Sequence, residues 1–482
     1  MSDYDLVVAG GTVVTASDIF RGDVGIKAGR IAAVGLDLKG GTRVEADGLL
    51  VMPGGVDTHC HIEQLQENGG ADEESWVSGS TSALAGGTTS VITFNAQFKG
   101  EGILDTLKEY RRRASHAMVD YSFHQIVSDA SDEVIFEQIP QVVASGVRSL
   151  KVFLTYENTY IDDRQFLRVL AAARRNRALV TVHCENHDAI QWRTKAPLEA
   201  GHVAPKYHAW SRPPMIEREA THRAIALAEL VDQPIQIFHV SCPEVAAEID
   251  AARARGLKVW GETCPQYFVL SAADMDRPGF EGAKFMCSPC PRDAEASAGL
   301  WDKVRLGTLD VVSSDHSGWG YMSSVGKRVH GTNAPFSDIP NGVPGIGSRL
   351  PILFSEGISK GRIDPTQFVR LTATNPAKLF GLAPRKGSIA PGADADLTLW
   401  DPKKKQTITN ALLQHVIDYT PYEGMEVTGW PVMTIRRGEI AMRDGKVQAP
   451  PGSGQFLARD PYDLIAPTGR VPFGFDASAY RV

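Results

Sequence analysis

The chain contains 482 residues, 43% of them hydrophobic and 22% charged, with a formal net charge of −7, a balance that argues against a nucleic-acid-binding protein. It has no run of 18 apolar residues and no basic, apolar leader, so a transmembrane helix, a membrane partner and a secretory signal are not expected. Six cysteines do not make a disulfide framework in a chain of this length, and the reducing cytoplasm is the expected compartment.

Both ends of the chain have a β-rich pattern. The first fifty residues contain short runs of Val and Ile between Gly and Asp, which predict a small antiparallel sheet. A similar texture returns in GADADLTLWDP and VTGWPVMTIRRGEIAMRDGKV. We therefore expect residues 1–53 and 383–449 to form one β-sandwich domain. Residues 450–482 are rich in Pro and Gly and predict an arm lying on the body or on a neighbouring subunit.

In the middle of the chain, residues 54–382, strand-like runs alternate with helical patterns. Eight apolar, β-branched runs occur in LLVMPGGVDTHCH, TTSVITFNA, VDYSFHQIV, SLKVFLTY, LVTVHCE, PIQIFHVS, LKVWGETCPQYF and LDVVSSDHS. Helical patterns separate most of them, and one such pattern places Ala220, Ala224, Leu227 and Leu230 on a single stripe. Eight strands alternating with helices predict an α/β fold of the (β/α)8 barrel type, with strands buried on both faces.

Residues able to bind metal follow these predicted strands. In the first run, His59 and His61 are two positions apart, so on an extended strand both imidazoles point the same way and Cys60 points oppositely. The other candidates at strand ends are Lys151, His183, His239 and Asp315. Each alone has an ordinary explanation, such as a hydrogen-bonded core histidine, a capping aspartate or a snorkelling lysine. Together, at the rim where barrel active sites lie, they indicate a metal centre.

A lysine among metal ligands requires a chemical explanation. If burial lowers the pKa of Lys151, its free amine can add carbon dioxide and become an anionic carbamate. One carbamate can bridge two metals about 3.5–4 Å apart, as in two-metal hydrolases. Imidazole and carboxylate ligands suit zinc, while manganese or iron also fit. The metals would activate a bridging water, and Asp315 would accept its proton and deliver it to a leaving nitrogen. This chemistry hydrolyses an amide, ester or similar bond.

Motifs along nearly the whole chain carry a family resemblance. They are VMPGGVDTHCH, GGTTSV, SLKVFLTY, VHCEN, RPPMIEREATHRAI, HVSC, SPCPR, SSDH, IPNGVPG, TATNPAKLFGL, GADADLTLWDP and GSGQFLARDPY. Together they resemble the dihydropyrimidinase/D-hydantoinase group of cyclic amidohydrolases, in the amidohydrolase superfamily. The resemblance implies a homotetramer and two divalent metal ions, Zn²⁺ or alternatively Mn²⁺. The implied ligands are His59, His61 and Asp315 for the more buried metal, His183 and His239 for the second, and carboxylated Lys151 as the bridge.

The resemblance also implies residues that contact substrate. Tyr156 matches the tyrosine whose hydroxyl stabilises the oxyanion of the tetrahedral intermediate. Ser288 and Asn341 match positions that hold the cyclic amide, largely through backbone groups. The loop after the first strand, IEQLQENGGADEESW, is polar where the group usually has an apolar loop. We therefore expect Gln64 and Leu65 to line the mouth of an altered substrate gate.

The sequence thus predicts a hydrolase that opens the ring of a dihydropyrimidine, hydantoin or related cyclic ureide or imide, giving an N-carbamoyl amino acid or similar product. A dihydroorotase usually has an Arg soon after the His-x-His pair, and HCHIEQLQ has none. An allantoinase-like enzyme remains an alternative, although it is not expected to carry a tyrosine like Tyr156. A catalytically silent scaffold is the alternative from another class. Cys287 and Cys290, a lone CxxC pair, are interpreted as structural.

Overall fold

The computed structural model describes residues 3–65, 71–470 and 476. Its strands are β1 (Tyr4–Val14), β2 (Ile19–Lys27), β3 (Arg30–Gly35), β4 (Gly40–Glu45), β5 (Leu50–Pro53), β6 (Gly55–Asp57), β7 (Thr88–Asn95), β8 (Asp120–Ile126), β9 (Ser149–Phe153), β10 (Leu179–His183), β11 (Ile235–Ile237), β12 (Val259–Thr263), β13 (Val311–Val312), β14 (Leu397–Thr407), β15 (Glu426–Arg436), β16 (Glu439–Arg443) and β17 (Lys446–Val447).

The α-helices are α1 (Trp76–Ala85), α2 (Leu104–Ala114), α3 (Ile139–Ala144), α4 (Asp163–Asn176), α5 (His187–Glu199), α6 (Tyr207–Ser211), α7 (Pro214–Leu230), α8 (Pro243–Ala254), α9 (Gln266–Val269), α10 (Ala294–Arg305), α11 (Arg349–Leu353), α12 (Pro365–Val369), α13 (Asn375–Leu379) and α14 (Asn410–Leu413). Shorter π-helical segments are Val134–Gln138, Phe354–Ser359 and Arg370–Thr374, and 3-10 turns are Ala272–Asp276, Glu281–Phe285, Phe336–Asp338 and Asp463–Ile465. No helix in the described ranges is long and apolar enough to cross a membrane.

Strands β6 to β13 form a parallel sheet in sequence order, and the predicted (β/α)8 barrel is confirmed. The first and last strands meet at their carboxyl ends. There, the amide of Asp315 donates to the carbonyl of His59 at 2.8 Å, and the amide of His61 donates to that of His316 at 2.8 Å. The seam that closes the barrel therefore carries three of the predicted metal ligands.

Alternation along β9 shows how the barrel places polar groups inside. Leu150 and Val152 belong to the large apolar core between the strands and the helices. Lys151 lies between them in sequence and faces the other way, toward the rings of Phe153 and Phe238 in the barrel interior. A two-residue period thus directs one lysine into a buried, aromatic space.

Helix α7 departs from the predicted stripe. Ala220 and Ala224 are buried as expected, but Leu227 is only partly buried. Leu230 is 52% exposed, because it is the last residue of the helix and lies at its surface end. The packed stripe continues instead through Ala228. Small side chains here let the helix approach the strands closely.

The two chain ends form one nine-stranded sheet, ordered β17-β16-β15-β14-β5-β1-β2-β3 with β4 beside β1. The sheet is mixed, so the expectation of an antiparallel N-terminal sheet was wrong in part. Strand β1 pairs in parallel with β4 through its first half and with β5 through its second. The antiparallel pairing of β1 with β2 shifts register between Val8 and Gly11. One apolar core joins both chain ends, including Val24 and Leu397.

The tail lies on the barrel body at the end away from the metal-ligand rim. Phe456 bridges to Tyr121 beside β8, and the buried Arg459 donates to the carbonyl of Phe123 and to the Ser149 hydroxyl. The Tyr462 hydroxyl donates to the carbonyl of Leu379 at 2.6 Å. Of the predicted arm at residues 450–482, residues 471–475 and 477–482 lie outside the described ranges.

Candidate metal centre and active site

His59 and His61 present the same ring nitrogen to Asp315. The Nδ1 atom of His59 lies 2.6 Å from Oε1 of Glu262, and that of His61 lies 2.6 Å from Oε1 of Gln64. These contacts leave both Nε2 atoms facing Oδ1 of Asp315, at 3.1 and 3.5 Å. One ligand atom from each of the three residues lies within 4.8 Å of the others. The three side chains can therefore hold one metal ion.

His183 and His239 form a second pair across the rim. Their ring centroids are 4.3 Å apart, and the centroids of His59 and His239 are 5.3 Å apart. Nδ1 of His239 is buried and has no hydrogen-bond partner among the described residues. Burial lowers the pKa of His59, His183 and His239, so the three rings are neutral and keep a lone pair for a metal.

Lys151 contacts aromatic rings that also contact the candidate ligands, Phe238 beside His59 and Phe153 beside His183. Its side chain is fully buried, and Nζ has no hydrogen-bond partner among the described residues. Nζ lies 4.3 Å from the ring centroid of Phe238 and 4.7 Å from that of Phe153. Burial in this apolar setting lowers the pKa of Lys151 to about 7, so a free amine is populated at neutral pH. That amine is the species that reacts with carbon dioxide.

Three residues of this rim have left-handed backbone conformations. The φ angles are +68° at Tyr156, +40° at His239 and +47° at Asp315. Residues other than glycine adopt such angles infrequently, and the strain concentrates where surrounding structure imposes a functional geometry. Each of these residues lies two or three positions after the end of a barrel strand, where the chain turns at the rim.

The three residues expected to contact substrate have buried or partly buried side chains. Tyr156 is partly buried beside His183, with ring centroids 5.1 Å apart. The Ser288 hydroxyl is 3.3 Å from Nε2 of His208. Burial raises the pKa of Tyr156, which keeps its hydroxyl protonated and able to donate. Asn341 is partly buried, and its Oδ1 has no partner among the described residues.

The described part of the predicted gate makes contacts with the metal-ligand rim and with the loop after β13. Gln64 contacts His61, as described above, and Leu65 is buried and bridges to Ala71. The acidic residues of the gate contact the loop that follows β13. Glu73 accepts a hydrogen bond from the amide of Gly320 at 2.8 Å, and Glu74 lies 3.4 Å from Nε2 of His316. Residues 66–70 of the gate lie outside the described ranges.

A divalent metal ion matches the chemistry of this donor set. Asp315 faces the rings of His59 and His61, and two buried donor atoms, on Lys151 and His239, have no protein partner in the described part of the chain. Buried polar atoms normally have partners, so unpartnered ones beside candidate ligands indicate a missing ligand. The residues present therefore fit a divalent metal site.

Comparison with known proteins identifies the family. The model of the amidohydrolase family matches residues 50–216 and 347–441. The chain belongs to the amidohydrolase family. A D-hydantoinase from Geobacillus stearothermophilus is 42% identical over 95% of this chain and 97% of its own length. A D-phenylhydantoinase from Escherichia coli O127:H6 is 37% identical over 95% of this chain and 98% of its own length.

Solved structures of hydantoinases and dihydropyrimidinases have the same fold as this chain. This amidohydrolase is similar to the dihydropyrimidinase from Brevibacillus agri, with a TM-score of 0.91, 40% identity and coverage of 95% of this chain and 99% of that one. It is also similar to the L-hydantoinase (dihydropyrimidinase) from Arthrobacter aurescens, with a TM-score of 0.87, 28% identity and coverage of 95% and 100%. The resemblance to the dihydropyrimidinase/D-hydantoinase group is thereby confirmed.

Sequence reasoning missed two carboxylates that contact candidate metal ligands. Glu262 contacts Nδ1 of His59 and also accepts from the Ser313 hydroxyl at 2.9 Å. Glu185 lies 2.8 Å from Nε2 of His183 and pairs with Arg212 at 2.7 Å. Although burial opposes ionisation, Arg212 lowers the pKa of Glu185 to about 2. Only the contact of Glu185 could have been inferred from the sequence, because Glu185 is two residues after His183 and both side chains point the same way on an extended chain. Carboxylates in this role orient metal-binding histidines.

The replacement Glu262→Gln is expected to weaken metal binding by about 10- to 100-fold, because a carboxylate that orients a ligand histidine is lost. Metal affinity of the apoprotein, measured by competition with a chelator, checks this. Glu248→Gln is the matched control, since Glu248 pairs with the exposed His222 at 2.9 Å on the surface. Equal affinities for the two variants would contradict a role for Glu262 at the metal centre.

Proposed function

We propose that this protein hydrolyses the ring amide bond of a dihydropyrimidine, hydantoin or related cyclic ureide or imide, yielding an N-carbamoyl amino acid or similar product. The observation that carries the proposal is the convergence of four histidines, Lys151 and Asp315 at the carboxyl rim of the barrel. The relatives named D-hydantoinase and dihydropyrimidinase support it, since they match almost the full chain. No observation favours an allantoinase-like enzyme or a silent scaffold.

The proposed cofactor is a pair of divalent ions, most simply Zn²⁺, with Mn²⁺ as the alternative. His59, His61 and Asp315 would hold one ion, and the other histidine pair, His183 with His239, would hold the second. Lys151, carboxylated by carbon dioxide, would bridge them, which accounts for a buried amine without a protein partner. When bound, such ions lower the pKa of a water and polarise a carbonyl group.

The protein's own residues would complete the reaction. Water adds its oxygen to the ring carbonyl carbon, the ring C–N bond breaks, and the nitrogen leaves with the proton of the water. Asp315 would carry that proton on Oδ2, because Oδ1 faces the imidazoles of His59 and His61. The Tyr156 hydroxyl would donate a hydrogen bond to the developing oxyanion.

Binding and selection of the ring would involve a separate set of groups. We propose that Ser288 and Asn341 hold the cyclic amide largely through their backbone groups. Leu65 would contribute an apolar wall at the mouth. Gln64 would act mainly by orienting His61, to which it is bound at 2.6 Å. Glu73 and Glu74 would hold the gate against the loop after β13, through the hydrogen bond to Gly320 and the contact with His316.

The replacement Tyr156→Phe is expected to lower kcat by about 10²- to 10³-fold with metal content unchanged, since it removes one oxyanion donor. Steady-state kinetics with metal analysis of the same sample checks this. Tyr160→Phe is the matched control, because the Tyr160 ring stacks on His187 at 4.6 Å, in the same loop but on the outer side. A kcat for Tyr156→Phe equal to that of the control would contradict the oxyanion role.

We further propose a cytoplasmic homotetramer. All six cysteines are free, buried thiols, as suits a reducing compartment. Trp192 and Trp210 are 75% and 60% exposed, respectively, and offer apolar surface for contact between subunits.

The proposed activity is tested by ring opening with zinc-loaded protein across dihydrouracil, hydantoin, both enantiomers of 5-substituted hydantoins, other cyclic imides and allantoin. Turnover of dihydrouracil or hydantoins is the expected result. Glu248→Gln protein provides a positive control for handling and loading, because Glu248 lies on the surface far from the rim. Absence of turnover on every ring, with metal bound, would overturn the proposal.

A further inference from the structure

Lys327 is a fully buried lysine outside the metal centre. Its Nζ donates three hydrogen bonds, all to backbone carbonyls: to Met286 at 3.2 Å, to Pro340 at 2.7 Å and to Gly342 at 2.7 Å. No carboxylate of the described residues forms an ion pair with it. Burial lowers the pKa of Lys327 to about 7. The three acceptors match the three donors of the ammonium form, which they stabilise. An ammonium buried at this cost marks an interaction that the local structure depends on.

The three carbonyls belong to the two loops that carry the proposed ring-binding residues. Met286 lies two positions before Ser288, and Pro340 and Gly342 flank Asn341. The amide of Gly342 also donates to the carbonyl of Met286 at 3.0 Å. Lys327 therefore joins loops that are more than fifty positions apart in sequence. At these contacts neither loop segment is a strand or a helix, although Met286 caps the preceding 3-10 turn and Val343 bridges to His316.

The Asn341 loop is fixed on its other side by close backbone approach. Gly342 has a φ of +116°, and a Cβ there would lie 2.4 Å from the Ser317 side chain. The amide of Ser317 donates to the carbonyl of Val343 at 3.1 Å. The loop is thus held between the segment after Asp315 and the ammonium of Lys327. Its buried Asn341 Oδ1 has no protein partner in the described ranges and is free for a ligand.

We propose that Lys327 is a positioning residue for substrate, whose ammonium fixes the Ser288 loop against the Asn341 loop so that backbone groups of both meet the cyclic amide. This inference rests on the proposed function, because it assumes that these loops hold the ring. Lys327 has no role in metal binding or in the chemical step. Its loss should therefore weaken substrate binding more than turnover.

The test compares Lys327→Met with Arg328→Met. Methionine keeps the length and apolar stem but removes all three donors. Arg328 is the matched neighbour, since its guanidinium lies 4.5 Å over the Tyr321 ring and outside the two loops. For Lys327→Met, KM should rise about tenfold or more, with a smaller change in kcat and unchanged metal content. Amide hydrogen exchange should accelerate in peptides covering residues 284–291 and 337–344. Arg328→Met should leave all four quantities near wild type.

A wild-type KM and unchanged exchange for Lys327→Met would overturn the inference. Equal losses in kcat and kcat/KM with loss of metal would also overturn it, by showing general structural damage. If Lys327→Met does not fold, Lys327→Gln, which keeps two donors, provides the same comparison, and a wild-type KM for that variant contradicts the proposal. If wild-type protein opens no ring, the proposed function fails, while the exchange measurement still decides whether Lys327 fastens the two loops.

Discussion

Lys151→Ala protein is expected to lose most of its bound metal and at least about 10³-fold in kcat/KM, because metal ions supply several kcal/mol of transition-state stabilisation. The buried Nζ contacts no protein acceptor in the described part of the chain, and aromatic rings surround it. An ammonium in that position would repel the ions that the neighbouring histidines are arranged to bind. A carbamate would attract them. Metal analysis and ring-opening kinetics of the purified variant check the expectation.

Chemical rescue separates the carbamate from a plain lysine. Acetate or propionate can fill the space left in Lys151→Ala and supply a carboxylate between the two metal positions. Each is expected to restore metal binding and part of the activity. An alkylamine of similar size supplies the ammonium instead and should restore nothing. Rescue by the amine alone, or full activity without any rescue, would contradict the bridging role of Lys151.

Asp315→Asn is expected to reduce kcat by about 10²- to 10⁴-fold, the range that a general acid–base group contributes. The amide can still offer an oxygen to a metal, but it cannot accept the proton of water. The expected pattern is therefore a large loss of kcat with partial retention of metal. Kinetics and metal analysis on the same samples check it.

Asp310→Asn is the matched control for Asp315→Asn. Asp310 lies just before β13, at the other end of the same strand, where it accepts from the amide of Gly261 at 2.9 Å and pairs with Arg253. The same chemical change there removes part of an ion pair far from the rim. Similar kcat values for the two variants would show that Asp315 is not the proton carrier.

The placement of the candidate ligands follows from local rules. His59 and His61 lie in the segment that follows β6, on either side of Cys60, which bridges to His316. Their two-residue spacing still directs both rings to one side, and parallel strands of a barrel end at one rim. These rules bring Lys151, His183 and His239 to the same rim although they are far apart in sequence. Applying these rules requires only that the strands be identified, and the apolar, β-branched runs of the sequence make that possible.

The groups that orient those ligands could not be predicted in the same way. Glu262 reaches His59 across 203 positions, a contact that depends on the closed barrel. Gln64 turns back to His61 because Glu63 adopts a left-handed conformation, with φ of +47°, and no sequence period predicts such a reversal. Lys327 lies in a segment without helix or strand, so its three carbonyl partners become visible only in the folded chain.

His124 shows why a histidine in a barrel strand is not always a ligand. It lies in β8, is fully buried, and faces the interior like the candidate ligands. Both of its ring nitrogens have protein partners, the Ser149 hydroxyl at 2.7 Å and the carbonyl of Thr58 at 2.9 Å. The His239 ring, by contrast, keeps an unpartnered nitrogen among the described residues. Hydrogen-bond satisfaction, which sequence cannot supply, distinguishes a core histidine from a candidate ligand.

The number of metal ions bound per chain tests the central claim most directly. Protein purified without chelator and equilibrated with Zn²⁺ and bicarbonate should bind two ions per chain, and removing bicarbonate during reconstitution of the apoprotein should reduce that number. One ion per chain, or two ions with no dependence on bicarbonate and undiminished binding in Lys151→Ala, would contradict a binuclear centre bridged by a carboxylated lysine.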